Sequence, residues 1–395
     1  MMNIKVIGIG AGGNKAVIRL IENNVVSKRN VLLLNSTLKD IEDSYKEMTI
    51  PFGSTKGCGK ERELAKDLTM EALQNGTINI DQWVSKDTDM VVVVGTLEGG
   101  TGCGGTTIIG SYIHEVLGVP VHMFGFSGFE DDARGLKNTV DWFNDLNEQF
   151  TVEVISNSKY LEEANGNRSL AERLANEDFV RKINVIIGNE LVECENNIDD
   201  RDLYKLVVTP GYMVVETAKI PTIRDSESFD KVLKELIKNS KALKTEPSAK
   251  RIGFIFNGSP KTEQYVDRTF EVLKETYGYA PEIYQHFQHS DDEEFISIIV
   301  SGLKLPMDEI KDVYDKFQKE INNADLTKDK FFKTVKKFDT SISSSLDAFN
   351  VKKPDINKTK MSFFKKDSKQ TEEQPVTAES DNKKNKFFSK AKNEI

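Results

Sequence analysis

The chain has 395 residues, 38% of them hydrophobic and 30% charged, with a formal net charge of −9. That length exceeds what a single hydrophobic core usually fills, so two packed domains and a tail are expected. The acidic balance excludes direct nucleic-acid binding by the body, because phosphate recognition needs clustered Lys and Arg.

No run of about 18 apolar residues and no basic leader is present, and Cys58, Cys103 and Cys194 are scattered without CxxC spacing. These features predict a cytoplasmic chain without disulfides, zinc or a membrane partner. In the first half, short apolar runs alternate with helical stretches: Ile4 to Ile9, Val31 to Leu34, Met90 to Val94, Val119 to Phe124 and Val152 to Ile155. This order predicts an α/β fold with a Rossmann-like parallel sheet. Between 179 and 193 the apolar positions fall on nearly every side of a helix, which predicts a long buried central helix. From 205 to 302 the pattern changes to separated strands, at Tyr212 to Val215, Arg251 to Phe256, Ile283 to Phe287 and Phe295 to Val300. Helices are expected at Phe229 to Lys241 and Thr262 to Tyr277, giving a smaller α+β domain. A charged amphipathic helix from Pro306 to Asn323 and another from Lys328 to Lys337 follow.

Beyond 340 the chain lacks the spaced apolar residues that offset chain ordering, so residues 341–395 are expected to be a disordered Lys-rich tail. Residues 351–395 carry 12 Lys against 7 acids, a local +5 on an acidic protein. Phe363-Phe364-Lys365-Lys366 resembles Phe387-Phe388-Ser389-Lys390. The pair reads either as part of a solvated tail or as short docking elements for an acidic partner or membrane.

Two Gly-rich turns carry the chemistry. Gly8-Ile9-Gly10-Ala11-Gly12-Gly13-Asn14 follows the first strand and opens a helix, so its backbone N–H groups and the helix N-terminus suit a phosphate. The spacing also satisfies the dinucleotide fingerprint, although Asn35-Ser36-Thr37 stands where a nicotinamide enzyme places its ribose-binding acid. The second turn, Gly95 to Gly105, holds five glycines between Gly99 and Gly105 and includes Thr101, whose hydroxyl suits a phosphate oxygen. Neither turn has the GxxxxGK[ST] pattern, so no Walker lysine is expected.

The segment Glu98-Gly99-Gly100-Thr101-Gly102-Cys103-Gly104 resembles the tubulin signature GGGTG(S/T)G, and Gly8 to Asn14 resembles the first phosphate loop of FtsZ. The resemblance to the tubulin/FtsZ superfamily continues in order over about 300 residues. It implies phosphate contacts from Gly10, Ala11, Gly12, Gly13, Asn14, Gly99, Gly100, Thr101, Gly102, Cys103 and Gly104. Asn35 would lie in the second nucleotide loop, and Gly57 and Gly59 in the loop that senses the γ-phosphate. Glu130 and Arg134 resemble the sugar contacts, while Asn157 and Asp178 resemble the guanine contacts. A carboxylate suits guanine, which presents adjacent N1–H and N2–H donors. Asn197-Ile198-Asp199-Asp200-Arg201-Asp202 matches the NxDxxD of the synergy loop, so Asn197, Asp199 and Asp202 would complete the catalytic site of the next subunit.

The resemblance thus implies a GTPase that binds GTP or GDP with Mg²⁺, polymerises head to tail and hydrolyses GTP only when assembled. It divides the chain into a GTP-binding domain (1–178), central helix and synergy loop (179–204), activation domain (205–302), C-terminal helices (303–340) and tail (341–395). Leu97-Glu98 departs from the more glycine-rich FtsZ string, and no FtsZ-type C-terminal peptide is recognisable. The tail is more like that of the plasmid and phage DNA-partition branch, TubZ, which implies DNA segregation through a DNA-binding adaptor. A division or positioning filament is the nearest alternative, and a nicotinamide oxidoreductase is an alternative of a different class. His286 and His289, an HxxH without a third ligand, are read as surface histidines at a strand end, and Trp83 and Trp142 as packing residues.

Overall fold

The computed structural model describes residues 2–335 and 383–389, apart from 55, 190, 193, 195, 196, 221–224, 261–266 and 290–293. Its centre is a ten-stranded sheet in the order β3-β2-β1-β4-β5-β6-β7-β10-β8-β9. The parallel half comprises β1 (Ile4–Ile9), β2 (Val31–Asn35), β3 (Thr49–Pro51), β4 (Met90–Thr96), β5 (Val121–Ser127) and β6 (Thr151–Ser156). The other strands are β7 (Gly211–Lys219), β8 (Arg251–Gly258), β9 (Glu282–His289) and β10 (Phe295–Leu303).

The near-continuous apolar runs of the central strands follow from cover on both faces. In β1, Ile7 and Ile9 join one core while Ile4 and Val6 join the other, and β4 divides Val91 and Val93 from Met90, Val92 and Val94 in the same way. Helices α1 (Gly10–Glu22) and α6 (Arg168–Ile186) cover one face. On the other face lie α3 (Arg62–Gln74), α4 (Gly100–Tyr112) and α5 (Ala133–Asn144), which pack against one another in that order. A four-residue helix, α2 (Asp43–Lys46), precedes β3.

The smaller C-terminal part does not have a sheet of its own. β7 joins β6 in parallel through only Thr151↔Gly211 and Val152↔Tyr212, and β10 then pairs antiparallel with both β7 and β8. One sheet therefore runs through the whole body. Among the described residues, this part has the helices α7 (Asp200–Val207), α8 (Ser226–Lys238) and α9 (Asp267–Tyr277). The expected start of α9 at Thr262 lies outside the described residues. The two helices expected after Pro306 form one helix, α10 (Met307–Val335), which contacts α5.

The central helix, expected to start at 179, begins at Arg168. Asn167 caps it by accepting from the Leu170 N–H at 3.1 Å. It stops at Ile186, before Gly188 takes a left-handed φ of +71°. Residues 383–389 also depart from the expected disorder of the tail, since they form a helix with Phe387 buried against the body.

Candidate functional site

β1 lies between β2 and β4, so the connections leaving it and β4 open a crevice at the C-terminal edge of the parallel strands. Two helices start there without side-chain caps. α1 opens at Gly10 and α4 at Gly100, and neither first turn contains an acid. Their leading N–H groups have no partners within the helix, although that of Gly100 donates to the Gly59 carbonyl at 2.9 Å, and their positive dipole ends face the same crevice, which makes an anion cradle.

The crevice has two connected halves. One, of about 400 Å³, is lined by Gly10–Gly12, Asn35–Thr37, Lys39, Asp40, Lys56–Gly59, Thr96 and Gly99–Gly102. The other, of about 450 Å³, shares Ala11, Gly12, Gly59, Thr96 and Gly99, and continues past Lys15, Lys60, Glu98 and Phe126 to Asn157, Glu172 and Asn176. Such volumes suit a nucleotide, with charge neutralisation at one end and hydrogen-bonding side chains at the other. Ser36 and Thr101 exchange a hydroxyl hydrogen bond at 2.7 Å, tying the β2 turn to the glycine string. Burial raises the Glu98 carboxyl pKa, with Asp132 and Glu172 adding to the rise and Lys60 opposing it.

Of the residues marked from sequence, Gly10, Ala11, Gly12, Asn35, Gly57, Gly59, Gly99, Gly100, Thr101, Gly102 and Asn157 line the crevice. Gly10 needs its glycine, because its φ is +77° and an added Cβ would lie 2.9 Å from the Gly102 nitrogen. Gly13, Asn14, Cys103 and Gly104 have packing roles instead. An added Cβ would meet the Val94 oxygen at 2.4 Å from Gly13 and the Arg62 oxygen at 2.3 Å from Gly104. Asn14 is fully buried and donates to the Leu34 carbonyl at 3.1 Å. The Cys103 thiol donates to the Asn138 carbonyl at 3.2 Å, and burial pushes its pKa up to about 12.

Three polar predictions also move. Asp178 lies ten residues into α6, where it pairs with Arg181 at 3.0 Å and with the buried Lys182 at 3.8 Å. Asn176 and Glu172, one turn apart on that helix, line the crevice beside Asn157. Asp178 is two residues from Asn176, about 200° around the helix, so the two cannot face the same way. Arg134 pairs with Glu61 at 2.5 Å, and Glu130 lines a separate cleft with Lys244 and the start of α10.

Asn197, Asp199 and Asp202 lie at the far end of α6. Asp199 caps α7 by accepting from the Asp202 N–H at 2.8 Å, and Asp202 pairs with Lys205 at 3.3 Å. Asn197 is exposed, while Ile198 anchors the loop in the core. From Asn176, in the crevice, to Ile186, where the helix stops, is about 15 Å along the axis. None of the three residues lines the crevice of its own chain. His286 of β9 holds the loop, its Nδ1 accepting from the Ile198 N–H at 3.3 Å and its Nε2 lying 2.9 Å from Gln288 Oε1. It is fully buried rather than a surface residue, and burial lowers its pKa. That keeps the ring neutral, with Nδ1 free to accept.

No protein-family model matches the chain. Over 318 residues it is 24% identical to cell division protein FtsZ of Mycoplasmopsis pulmonis, covering 76% of this chain and 77% of the relative. Among solved structures, a GTPγS-form protofilament of Bacillus thuringiensis TubZ gives a TM-score of 0.69 at 16% identity, with 83% and 94% covered. CetZ2 of Haloferax volcanii, a GTPγS-bound protofilament, gives 0.67 at 17% identity, with 82% and 100% covered. TubZ of Clostridium botulinum phage c-st gives 0.63 at 19% identity, with 81% and 98% covered. By fold the chain is similar to these tubulin/FtsZ-superfamily structures, and by sequence to FtsZ.

Within this fold, the residues that sequence reasoning missed include Lys39, Asp40 and Lys56 in one half of the crevice and Lys15, Lys60, Glu172 and Asn176 in the other, the last two being helix residues. The signal for the last two was Asn167, a capping residue whose recognition sets the helix start and hence its phase. For the lysines there was no local signal, because the crevice is assembled from four separate loops.

A second group of charges fills the buried side of α6. Lys182 contacts Glu153 of β6 at 3.1 Å and Glu216 of β7 at 3.4 Å, besides Asp178, and donates to the Val215 carbonyl. One cation thus serves three carboxylates. Burial raises the Glu153 pKa to about 7 despite Lys182, and it raises that of Glu216 as well. The acids in turn hold the Lys182 pKa well above its usual value although burial opposes this.

Proposed function

We propose that this tubulin/FtsZ-superfamily chain is a cytoplasmic GTPase that polymerises head to tail and hydrolyses GTP at the junction between subunits. The observation that carries the reading is the separation of the crevice from Asp199 and Asp202 at opposite ends of α6. The catalytic acids belong to one end of the molecule and the nucleotide to the other, so stacking two copies completes a site. A heterologous contact of this kind does not close, and it extends into a filament. The protofilament forms of the similar TubZ and CetZ2 structures support the reading.

On this reading the GTP phosphates rest on the N-termini of α1 and α4, with Thr101 and Ser36 as hydroxyl donors and Lys39 and Lys56 at the rim. The guanine lies against Asn157, Asn176 and Glu172, where the Glu172 carboxylate accepts from N1–H and N2–H. The next subunit's Asn197, Asp199 and Asp202 orient a water and take its proton as its oxygen attacks the γ-phosphorus, while GDP leaves with the bond electrons on its β-phosphate oxygen. Among the described residues no cluster of three His, Cys, Asp or Glu could hold a metal by itself. Asp40 with the Ser36 and Thr101 hydroxyls nevertheless suits Mg²⁺ brought in on the nucleotide, where it would neutralise phosphate charge. Residues through β6 then form the nucleotide-binding part, α6 and the loop behind it link the two ends, and 205–302 form the activation part.

The finer reading is a DNA-partition filament with the Lys-rich tail engaging a DNA-binding adaptor. The TubZ likeness and the charge of the tail support it, whereas the FtsZ sequence match favours a division filament. A nicotinamide site has little support, because Asn35, Ser36 and Thr37 line the crevice where that chemistry needs an acid. The test is phosphate release from GTP across a protein dilution series, with light scattering on the same samples. Joint onset above a threshold concentration supports assembly-dependent hydrolysis. Constant turnover per molecule with flat scattering overturns it.

A further inference from the structure

One segment of the tail is seated on the body, away from the nucleotide crevice. In the helix of residues 383–389, Phe387 is only 6% exposed, and its ring meets that of Tyr112 edge-on with centroids 5.5 Å apart. Phe388 lies tilted against the same ring at 6.0 Å. Lys384 pairs with Asp81, whose other carboxylate oxygen accepts from the Tyr112 hydroxyl at 2.8 Å. Lys384, Phe387 and Phe388 stand at i, i+3 and i+4, so one helical face presents a cation and two rings to a matching acid and ring. Tyr112 ends α4, about 18 Å along the helix from Gly100 at the crevice.

The chain contains three Phe-Phe pairs, and each has a lysine three positions before its first ring. They are Lys328 with Phe331-Phe332, Lys360 with Phe363-Phe364, and Lys384 with Phe387-Phe388. The first falls within α10 and the third is seated on Asp81 and Tyr112. The second carries the same three anchors, and the seat that the described residues show for them is the one at Asp81 and Tyr112.

We propose that Asp81 and Tyr112 form a docking site for the Lys-x-x-Phe-Phe helix, and that its second ligand is the Lys360–Phe364 segment of another copy of this chain. From 336 to 360 the backbone spans at most about 85 Å, which is enough to reach across a neighbouring subunit. Cis seating by the last copy and trans seating by the middle copy then compete for the same residues. Displacement of the cis copy turns the tail into a bridge between chains, and because each chain offers both ligand and site, such bridges reinforce one another.

The test uses full-length protein with GDP, so it does not depend on hydrolysis and its failure leaves the GTPase reading untouched. A fluorescent peptide of residues 357–367 is titrated against wild type and against Phe387→Ala/Phe388→Ala, which empties the seat. Binding to the emptied protein at least tenfold tighter than to wild type is expected. Asp81→Lys in the emptied background should abolish it, and a Lys360→Glu peptide should restore binding to that variant. No binding to the emptied protein overturns the proposal, as does binding that persists through both Asp81→Lys and Tyr112→Ala.

Discussion

Replacing Asp202 by Asn removes one carboxylate from the loop behind α6 while leaving the shape of α7 intact. Within its own chain the carboxylate pairs with Lys205 at 3.3 Å, with the two side chains 29% and 40% exposed. An ion pair that open to water is worth under about 1 kcal/mol. The Asp202 N–H that bonds to Asp199 is untouched, so the urea midpoint should barely move. Catalysis should change far more. A group that orients the attacking water and accepts its proton contributes about 10²- to 10⁴-fold in rate, or about 3–5 kcal/mol of barrier. Phosphate release measured above the assembly threshold should fall by that factor, with sedimentable polymer unchanged. Mixing supplies a sharper assay. Asp202→Asn protein has an intact crevice, and Glu172→Ala/Asn176→Ala protein has an intact loop. In a random equimolar copolymer roughly a quarter of the junctions join the two intact parts. The mixture should therefore exceed the sum of its separate components. Wild-type turnover by Asp202→Asn polymer would refute the trans-catalytic role, and a mixture no faster than its parts would show that each acid serves its own chain.

Glu172→Gln should weaken GTP binding by about 1.5–3 kcal/mol, roughly 10- to 150-fold, and narrow the preference for GTP over ATP, as measured by competition with a fluorescent nucleotide. Asp178→Asn should leave nucleotide preference unchanged, because that side chain faces Arg181 and Lys182. Lys182→Met should cost about 3–5 kcal/mol in urea unfolding, since it leaves three carboxylates without their buried cation. The Glu153 carboxyl, raised from 4.5 to about 7, binds its proton more tightly when folded. Its contribution to stability is complete below pH 4.5 and is lost as pH rises through 7. Urea midpoints at pH 5.5 and 8 should show that loss in wild type, and Glu153→Gln should flatten it. His286→Ala should reduce assembly-dependent turnover with little change in GTP affinity, because it loosens the anchor of Ile198 rather than the crevice.

The strands of the parallel half were legible because burial on both faces writes itself as unbroken apolar runs. β1 matches its expected ends and β2, β4, β5 and β6 shift by one to three residues, whereas the three-residue β3 was not expected at all. The central helix was legible only in its second half. Its first turns bury only a narrow stripe of small residues, Ala171 and Ala175, with Leu170 and Leu174 at its edge, so their apolar period is weak and the helix seemed to start at the first strongly apolar stretch. That displaced start put Asp178 at a helix end, where a ligand contact is reasonable, and hid Glu172 and Asn176. In the glycine string, composition revealed that backbones approach closely but not which backbone. Gly102 packs against the backbone of Thr96 in β4, whereas Gly104 packs against α3. His286 was misread through a similar omission. Residues three apart in a strand point to opposite faces, so His286 and His289 could not both have been at the surface. The seated part of the tail was too short for composition to register, since three anchoring side chains in seven residues leave the average of a 45-residue segment nearly unchanged. The continuity of the sheet through β6 and β7 was out of reach, because it rests on two residue pairs about 60 positions apart.

The placement of α6 gives these observations a common physical basis. Its N-terminal half supplies Glu172 and Asn176 to the crevice, its C-terminal end releases the loop bearing Asp199, and between them Lys182 joins Glu153 of β6 to Glu216 of β7. Strands β6 and β7 are also where the sheet narrows to two paired residues. A rigid connection between the two ends would need broad pairing there, and a loose one would need no buried charge. The structure instead combines a weak backbone junction with a strong, direction-specific set of ionic contacts. Sliding α6 by one turn, about 5.4 Å, would take Lys182 out of reach of both glutamates at once and leave Lys182 and Glu153 buried without each other. The helix is therefore held in this register by its buried charges. On the proposed function, contacts to a nucleotide at one end and to a neighbouring subunit at the other bear on this same helix, so a shift of it would couple them.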